Sequence, residues 1–183
     1  MVSEQVCRAG VRLAQGRTLA HLQAVHATLL FLLEDVHLRT WRPTAHTTPE
    51  SPEWVVTHLT AYYAFVTANL GGKPPALPGE YVRAHDSMFG PGGAAVRTPR
   101  PSTSPRTERS PAIMLRRMRR GFATMLRAGE NLTPSQVLLP PAGAMAEYAP
   151  DRLACLERAA WHEGWHTAHL AAIRRARGLP PAF

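Results

Sequence analysis

Apolar residues recur at spacings of three and four in four stretches of this chain, and blocks rich in proline and glycine separate each stretch from the next. A helix turns once per 3.6 residues, so this spacing lines one face of each stretch and requires another helix to cover it. Leu19, Leu22, His26, Leu29, Leu33 and Val36 carry the pattern in the first stretch, which predicts a helix from about Gln5 or Val11 to about His37. The run from Trp41-Arg42-Pro43 to Pro49 breaks it. A second helix opens on Ser51 as N-cap, Pro52 at the first helical position and Glu53 in the first turn. It runs to Leu70, before Gly71-Gly72, with Val55, His58, Leu59, Tyr62, Val66 and Leu70 on one face. The third spans Pro111 to Ala128, with Leu115, Met118, Phe122, Met125 and Leu126 on one side and Arg116, Arg117, Arg119 and Arg120 on the other. The last runs from about Asp151 to Arg177 and stops at Gly178 and Pro180-Pro181.

Between the second and third helices, residues 71–110 contain thirteen prolines and glycines, which exclude a long regular element, although Tyr81 to Phe89 could form a short turn of helix. Connections of this length serve as crossovers, lids or mobile segments. A second proline-rich loop joins Asn131 to Pro150. No series of alternating strands is present, and no internal repeat. The expected fold class is all-α: one domain over residues 1–183, a four-helix bundle with a long Pro/Gly-rich connection between helices two and three.

With 183 residues and 45% hydrophobic content, the chain can bury a sizeable core. Its formal charge of +8 is carried by twenty arginines and one lysine, a bias that matches GC-rich codon usage better than selection for a polyanionic partner. The N-terminus has no basic region followed by an apolar stretch, and the longest largely apolar run, Ala27 to Leu33, is far too short to span a bilayer. Cys7 and Cys155 suggest no disulfide scaffold. A soluble, cytoplasmic protein with no membrane partner is expected.

Function is concentrated in Trp161-His162-Glu163-Gly164-Trp165-His166. Two histidines four apart on a helix point the same way and can share one transition metal. The spacing Cys155, Ala159, His162, His166, His169, Ile173 places both on the inward seam of the last helix, and His58, inward on helix two, is their natural partner. A single histidine on an apolar face is most often a hydrogen-bonded core residue; three on facing seams are costly to bury without a metal. Cys155 lies two turns from His162, roughly 10 Å along the axis, and reads as a core thiol. His26 reads as core first and site-lining second, and His85-Asp86 as a loop pair. The string also fits the H-E-x-x-H pattern of zinc peptidases, but no acidic residue follows His166 and position 172 is alanine rather than a third histidine. Those departures disfavour a peptidase.

Tyr148 to Pro181, with His162-Glu163-Gly164-Trp165-His166, Leu170-Ala171-Ala172-Ile173-Arg174-Arg175 and Gly178-Leu179-Pro180-Pro181, resembles the final helix of the DinB/YfiT-like superfamily. Trp41-Arg42-Pro43 and Ser51 to Leu59 resemble that family's entry to helix two and its histidine. The resemblance implies an up-down-down-up bundle, frequent homodimers, and one divalent zinc or nickel ion held by His58, His162 and His166. His169 stands where many relatives carry glutamine. The family's activities are diverse, including transfer reactions of low-molecular-weight thiols, a thiol-dependent isomerisation and hydrolysis, so a small-molecule substrate is expected.

Three protein ligands leave one coordination position open, as in catalytic rather than structural zinc sites. The expected function is therefore metal-dependent catalysis through activated water or a thiolate. Glu163, about one hundred degrees around the helix from His162, is a candidate to orient a water or a histidine, although such a glutamate is more often a solvated charge. His169 is the second candidate for an outer role, with a core position the commoner one. Trp161 and Trp165 read as packing residues before pocket walls. Two other classes stand beside the enzyme: a non-catalytic bundle whose arginines track nucleic acid or a protein partner, against which a solvated arginine face is the simpler account, and a homodimeric scaffold with a structural metal.

Overall fold

A computed structural model of the chain describes residues 4–40, 51–79, 81, 110–176 and 178–180. Four long helices dominate: α1 (Glu4–Thr40), α2 (Pro52–Asn69), α3 (Pro111–Glu130) and α4 (Arg152–Ala176). No strand occurs among the described residues. The start signal read at Ser51 works as expected, and the structure adds two more caps, at Ser110 and Asp151. The Ser51 hydroxyl accepts from Trp54 N at 3.0 Å, Ser110 caps α3 ahead of Pro111, and Asp151 Oδ1 accepts from Ala154 N at 2.8 Å to open α4. The stop of α4 is a paired C-cap, with Gly178 at φ +69 and Leu179 N donating to Arg174 O at 3.2 Å.

Neighbouring contacts fix the direction of each helix. Going up α1, Leu19 shares a contact with Leu156 at Gly129 and His26 then meets Glu163, so α1 and α4 run parallel. Glu34 pairs with Arg119 while Leu19 faces Gly129, so α1 and α3 are antiparallel. On α2, Trp54 reaches His166 and His58 reaches His162, which makes α2 and α4 antiparallel. The order is up, down, down, up. Two consecutive parallel helices, α2 and α3, need a return connection as long as the helices themselves, which is the physical reason for the long segment after Leu70.

The seams meet in one core. Leu22, Leu29, Leu32 and Leu33 of α1, Val55, Leu59, Tyr63 and Val66 of α2, Met118 and Met125 of α3 and Leu156 and Leu170 of α4 are all fully buried. α1 packs chiefly on α4, and α2 chiefly on α3. The last pair closes so tightly that a Cβ on Gly72 would lie 3.0 Å from both Ala128 Cβ and Thr67 Cγ2. The loop from Asn131 carries more structure than its prolines predict: a one-turn helix, Pro134–Val137, is opened by a reciprocal cap between Thr133 and Gln136, and a 3-10 turn spans Gly143–Glu147. Asn69, at the end of α2, anchors that loop through its carbonyl to Ala142 N at 2.9 Å and its Oδ1 to Met145 N at 3.2 Å. Gln15 of α1 does the same for the end of α3, donating to Gly129 O at 2.7 Å and Leu132 O at 3.2 Å.

The first helix begins about two turns earlier than the later of the two expected starts, and α3 extends two residues beyond Ala128. Trp41-Arg42-Pro43, His85-Asp86 and all of the anticipated turn after Tyr81 lie outside the described residues; Tyr81 itself is buried under Arg117, whose guanidinium sits 5.7 Å from the ring centre. Among the described residues no helix is long and apolar enough to cross a membrane.

Candidate metal centre

α2 and α4 cross with their histidines facing. On α4, His162 and His166 are one turn apart on the inward seam; on α2, His58 occupies the same level from the opposite side. His58 Nε2 lies 2.9 Å from His162 Nε2, and His166 Nε2 lies 3.0 Å from the same atom. All three ligand atoms fall within 4.8 Å of one another, and the three residues are buried. They form the one such group of His, Cys, Asp or Glu among the described residues.

This geometry suits a cation better than a proton. His162 Nε2 makes two short contacts to other ring nitrogens but has a single in-plane position for a proton or a lone pair, so hydrogen bonding satisfies at most one of them with good geometry. A tetrahedral ion with N–metal bonds of about 2.0–2.1 Å needs nitrogens roughly 3.4 Å apart, so the two sides that meet at His162, 2.9 and 3.0 Å, would have to open by a few tenths of an ångström to accommodate it. Burial, followed by the neighbouring His58, His162 and His169, pushes His166 down to about 2, which keeps its imidazole neutral and able to donate a lone pair. His166 Nδ1 is buried without a hydrogen-bond partner among the described residues. His162, at 7% exposure, is the member of the triangle that touches solvent, whereas His58 and His166 are sealed.

Aromatic rings line the triangle. Trp54 lies flat on His58 with centroids 4.6 Å apart and planes 5° from parallel, and Tyr62 lies flat on His162 at 4.1 Å and 10°. Burial raises the Tyr62 hydroxyl above its ordinary range, so it stays protonated. Trp165 meets His166 edge-on at 4.8 Å while remaining half-exposed.

Glu163 departs from the commoner sequence reading of a solvated charge. It is fully buried, and its Oε1 accepts from His26 Nδ1 at 2.6 Å across the α1–α4 interface. Tyr63 Oη lies 3.3 Å from the same nitrogen, and the His26 ring stacks on Phe122 at 3.6 Å with planes 1° apart. Burial raises the Glu163 carboxyl, while the His26 hydrogen bond opposes the shift. A glutamate committed to α1 in this way is not arranged as a peptidase base. Sequence reasoning had both halves of the pair, an inward histidine on α1 and an acid beside His162, and lacked only the parallel α1–α4 register that joins them.

His169 falls outside the converging triangle. Its ring tilts against Trp165 at 6.0 Å, and its Nε2 is buried without a partner among the described residues. Cys155 is buried in the core, and burial pushes its thiol up to about 12. Cys7 is exposed. Of the four arginines read as the outer side of α3, Arg116, Arg119 and Arg120 are exposed, with Arg119 tied to Glu34 at 2.6 Å, whereas Arg117 is half-buried over Tyr81.

Comparison with known proteins gives one positive result. A family model described as the DinB superfamily matches residues 21–170, most of the chain and all three histidines of the triangle. No curated protein and no solved structure matches the chain.

Proposed function

Because the chain belongs to the DinB superfamily, a metal-binding family, we propose that it is a metal-dependent enzyme in which His58, His162 and His166 hold one divalent transition ion through their Nε2 atoms. The observation that carries the reading is the convergence of three buried imidazole nitrogens within 4.8 Å, from two helices separated by about a hundred residues of sequence. Zinc and nickel both suit three neutral imidazoles. Such an ion supplies Lewis acidity that activates water near neutral pH or holds a substrate thiolate as a nucleophile, which supports hydrolase or thiol S-transferase chemistry.

The chain's own residues set the conditions for that chemistry. His58 and His166 close the inner side of the site, so a substrate approaches past the edge of His162. Burial keeps Tyr62 protonated, and its ring covers the ring of His162 beside the site. The Glu163–His26 pair fixes the rotation of α4 about its axis, and with it the direction in which His162 and His166 point. The partners we propose are a small-molecule substrate, with low-molecular-weight thiols as one class, and a second copy of the chain. Trp161 and Trp165, 66% and 51% exposed on the outer face of α4, support the second copy. Sedimentation of the wild type against Trp161→Glu tests it; identical monomers in both would remove it.

Metal content per chain, measured by plasma mass spectrometry on untagged protein, tests the central reading. About one ion per wild-type chain is expected, lost in His58→Ala and in His162→Ala while the helical circular-dichroism spectrum remains. Full occupancy in either variant would refute the ligand assignment. Unfolding of wild type on chelation would instead favour a structural metal.

A further inference from the structure

α2 carries Trp54, His58 and Tyr62 at successive four-residue intervals, so a ligand lies between two large aromatic residues on one helical face. The two rings do different things. Trp54 covers the face of its own neighbour His58, whereas Tyr62 reaches across the interface and covers His162 on α4. Both contacts are nearly parallel, within 5° and 10°, and both aromatic residues are buried, at 5% and 2% exposure. The remaining ligand differs: His166 touches Trp54 and Trp165 only at steep angles of 52° and 78°.

A histidine's second torsion is broad and roughly two-fold, so an imidazole on a helix does not by itself aim Nε2 at a point. A flat neighbour removes that freedom, because rotating the ring out of plane drives its edge into the aromatic face. Drawing electron density from an imidazole toward a cation also makes the ring more positive, which strengthens its attraction to an electron-rich face. We propose that Trp54 and Tyr62 are positioning residues for the metal: their ring faces hold the His58 and His162 imidazoles in the orientation that brings the Nε2 atoms together. This rests on the three-histidine reading above. Neither residue donates an atom to the ion; each acts through the ligand it covers.

The planar face is separable from bulk and from the tyrosine hydroxyl. Trp54→Met and Tyr62→Met fill volume without a flat surface, while Trp54→Phe and Tyr62→Phe keep one. The probe is Co2+, titrated into metal-free wild type and each variant, with ligand-field absorption reporting both affinity and geometry and circular dichroism reporting the fold. Each Met variant should bind one ion about tenfold or more weakly than wild type, in the range of other residues that orient metal ligands, with a changed ligand-field spectrum. Each Phe variant should stay within about threefold of wild type with an unchanged spectrum. Met variants equal to wild type, or Phe variants as weak as Met variants, would overturn the proposal and leave the metal site standing. Failure of wild type to bind Co2+ would overturn both readings at once. Should a Met variant not fold, the corresponding Phe variant still decides, since loss of binding in a folded Phe variant contradicts a role for the face.

Discussion

Glu163 and His26 form the side-chain pair on which the precision of α4 depends. The 2.6 Å contact joins two buried side chains across two helices, and removing Glu163 leaves His26 Nδ1 only the longer 3.3 Å contact to Tyr63 Oη. Glu163→Ala should therefore cost about 1–3 kcal/mol in urea unfolding, the cost of a lost buried hydrogen bond, while Glu163→Gln should cost less because an acceptor for His26 Nδ1 remains. Equal and small losses in both would mean that the pair does not stabilise the fold. At this scale the sequence was partly legible. The four-residue step from His162 to His166 and the seam position of His58 placed all three members of the triangle. For Glu163 the sequence left two readings open, an orienting role and a solvated charge, because its burial depends on a neighbour 137 residues away. The stacking of Tyr62 on His162 was hidden for the same reason: no local spacing relates a ring on α2 to a ring on α4.

Helices were easier to read than their connections, because a helix declares itself in its own residues. Ser51-Pro52-Glu53 and Ser110-Pro111 open α2 and α3 where capping chemistry requires, and Gly178 closes α4. The loop after α3 hid a one-turn helix whose signal, Thr133 with Gln136 three residues on, is a capping box that prolines on either side obscured. The closest approach of α2's end to α3 makes a sharper test. A methyl group at Gly72 would meet Ala128 Cβ and Thr67 Cγ2 at 3.0 Å and Thr67 O at 3.2 Å, none of them the tip of a long side chain that could swing aside. Gly72→Ala should lower stability by about 1–3 kcal/mol, visible as a reduced urea midpoint with unchanged slope. An unchanged midpoint would show that the α2–α3 contact can yield.

Across the whole molecule, the most consequential charge is one that the fold refuses. An unfolded His166 takes up a proton below about its ordinary value of 6.5, whereas in the folded metal-free chain burial and then His58, His162 and His169 hold it neutral down to about 2. Its stabilising contribution is thus complete above pH 6.5 and is lost as pH falls below that value, by at most about 1.4 kcal/mol per pH unit for one proton. Glu163, raised by burial, works the other way as it protonates, so the histidine's share is read as the difference between wild type and His166→Phe. Urea midpoints of the metal-free proteins at about pH 7.5, 6.5 and 5.5, which bracket the ordinary histidine value, should fall more steeply for wild type; parallel profiles would contradict the assignment. The order of the helices has a consequence for biosynthesis. Two of the three histidines of the triangle sit on the last helix, 104 residues or more after His58. A growing chain that has released α1, α2 and α3 from the ribosome still lacks the pair, so the metal proposed for this site could load only after completion of α4, and until then the inward faces of three helices wait for a fourth.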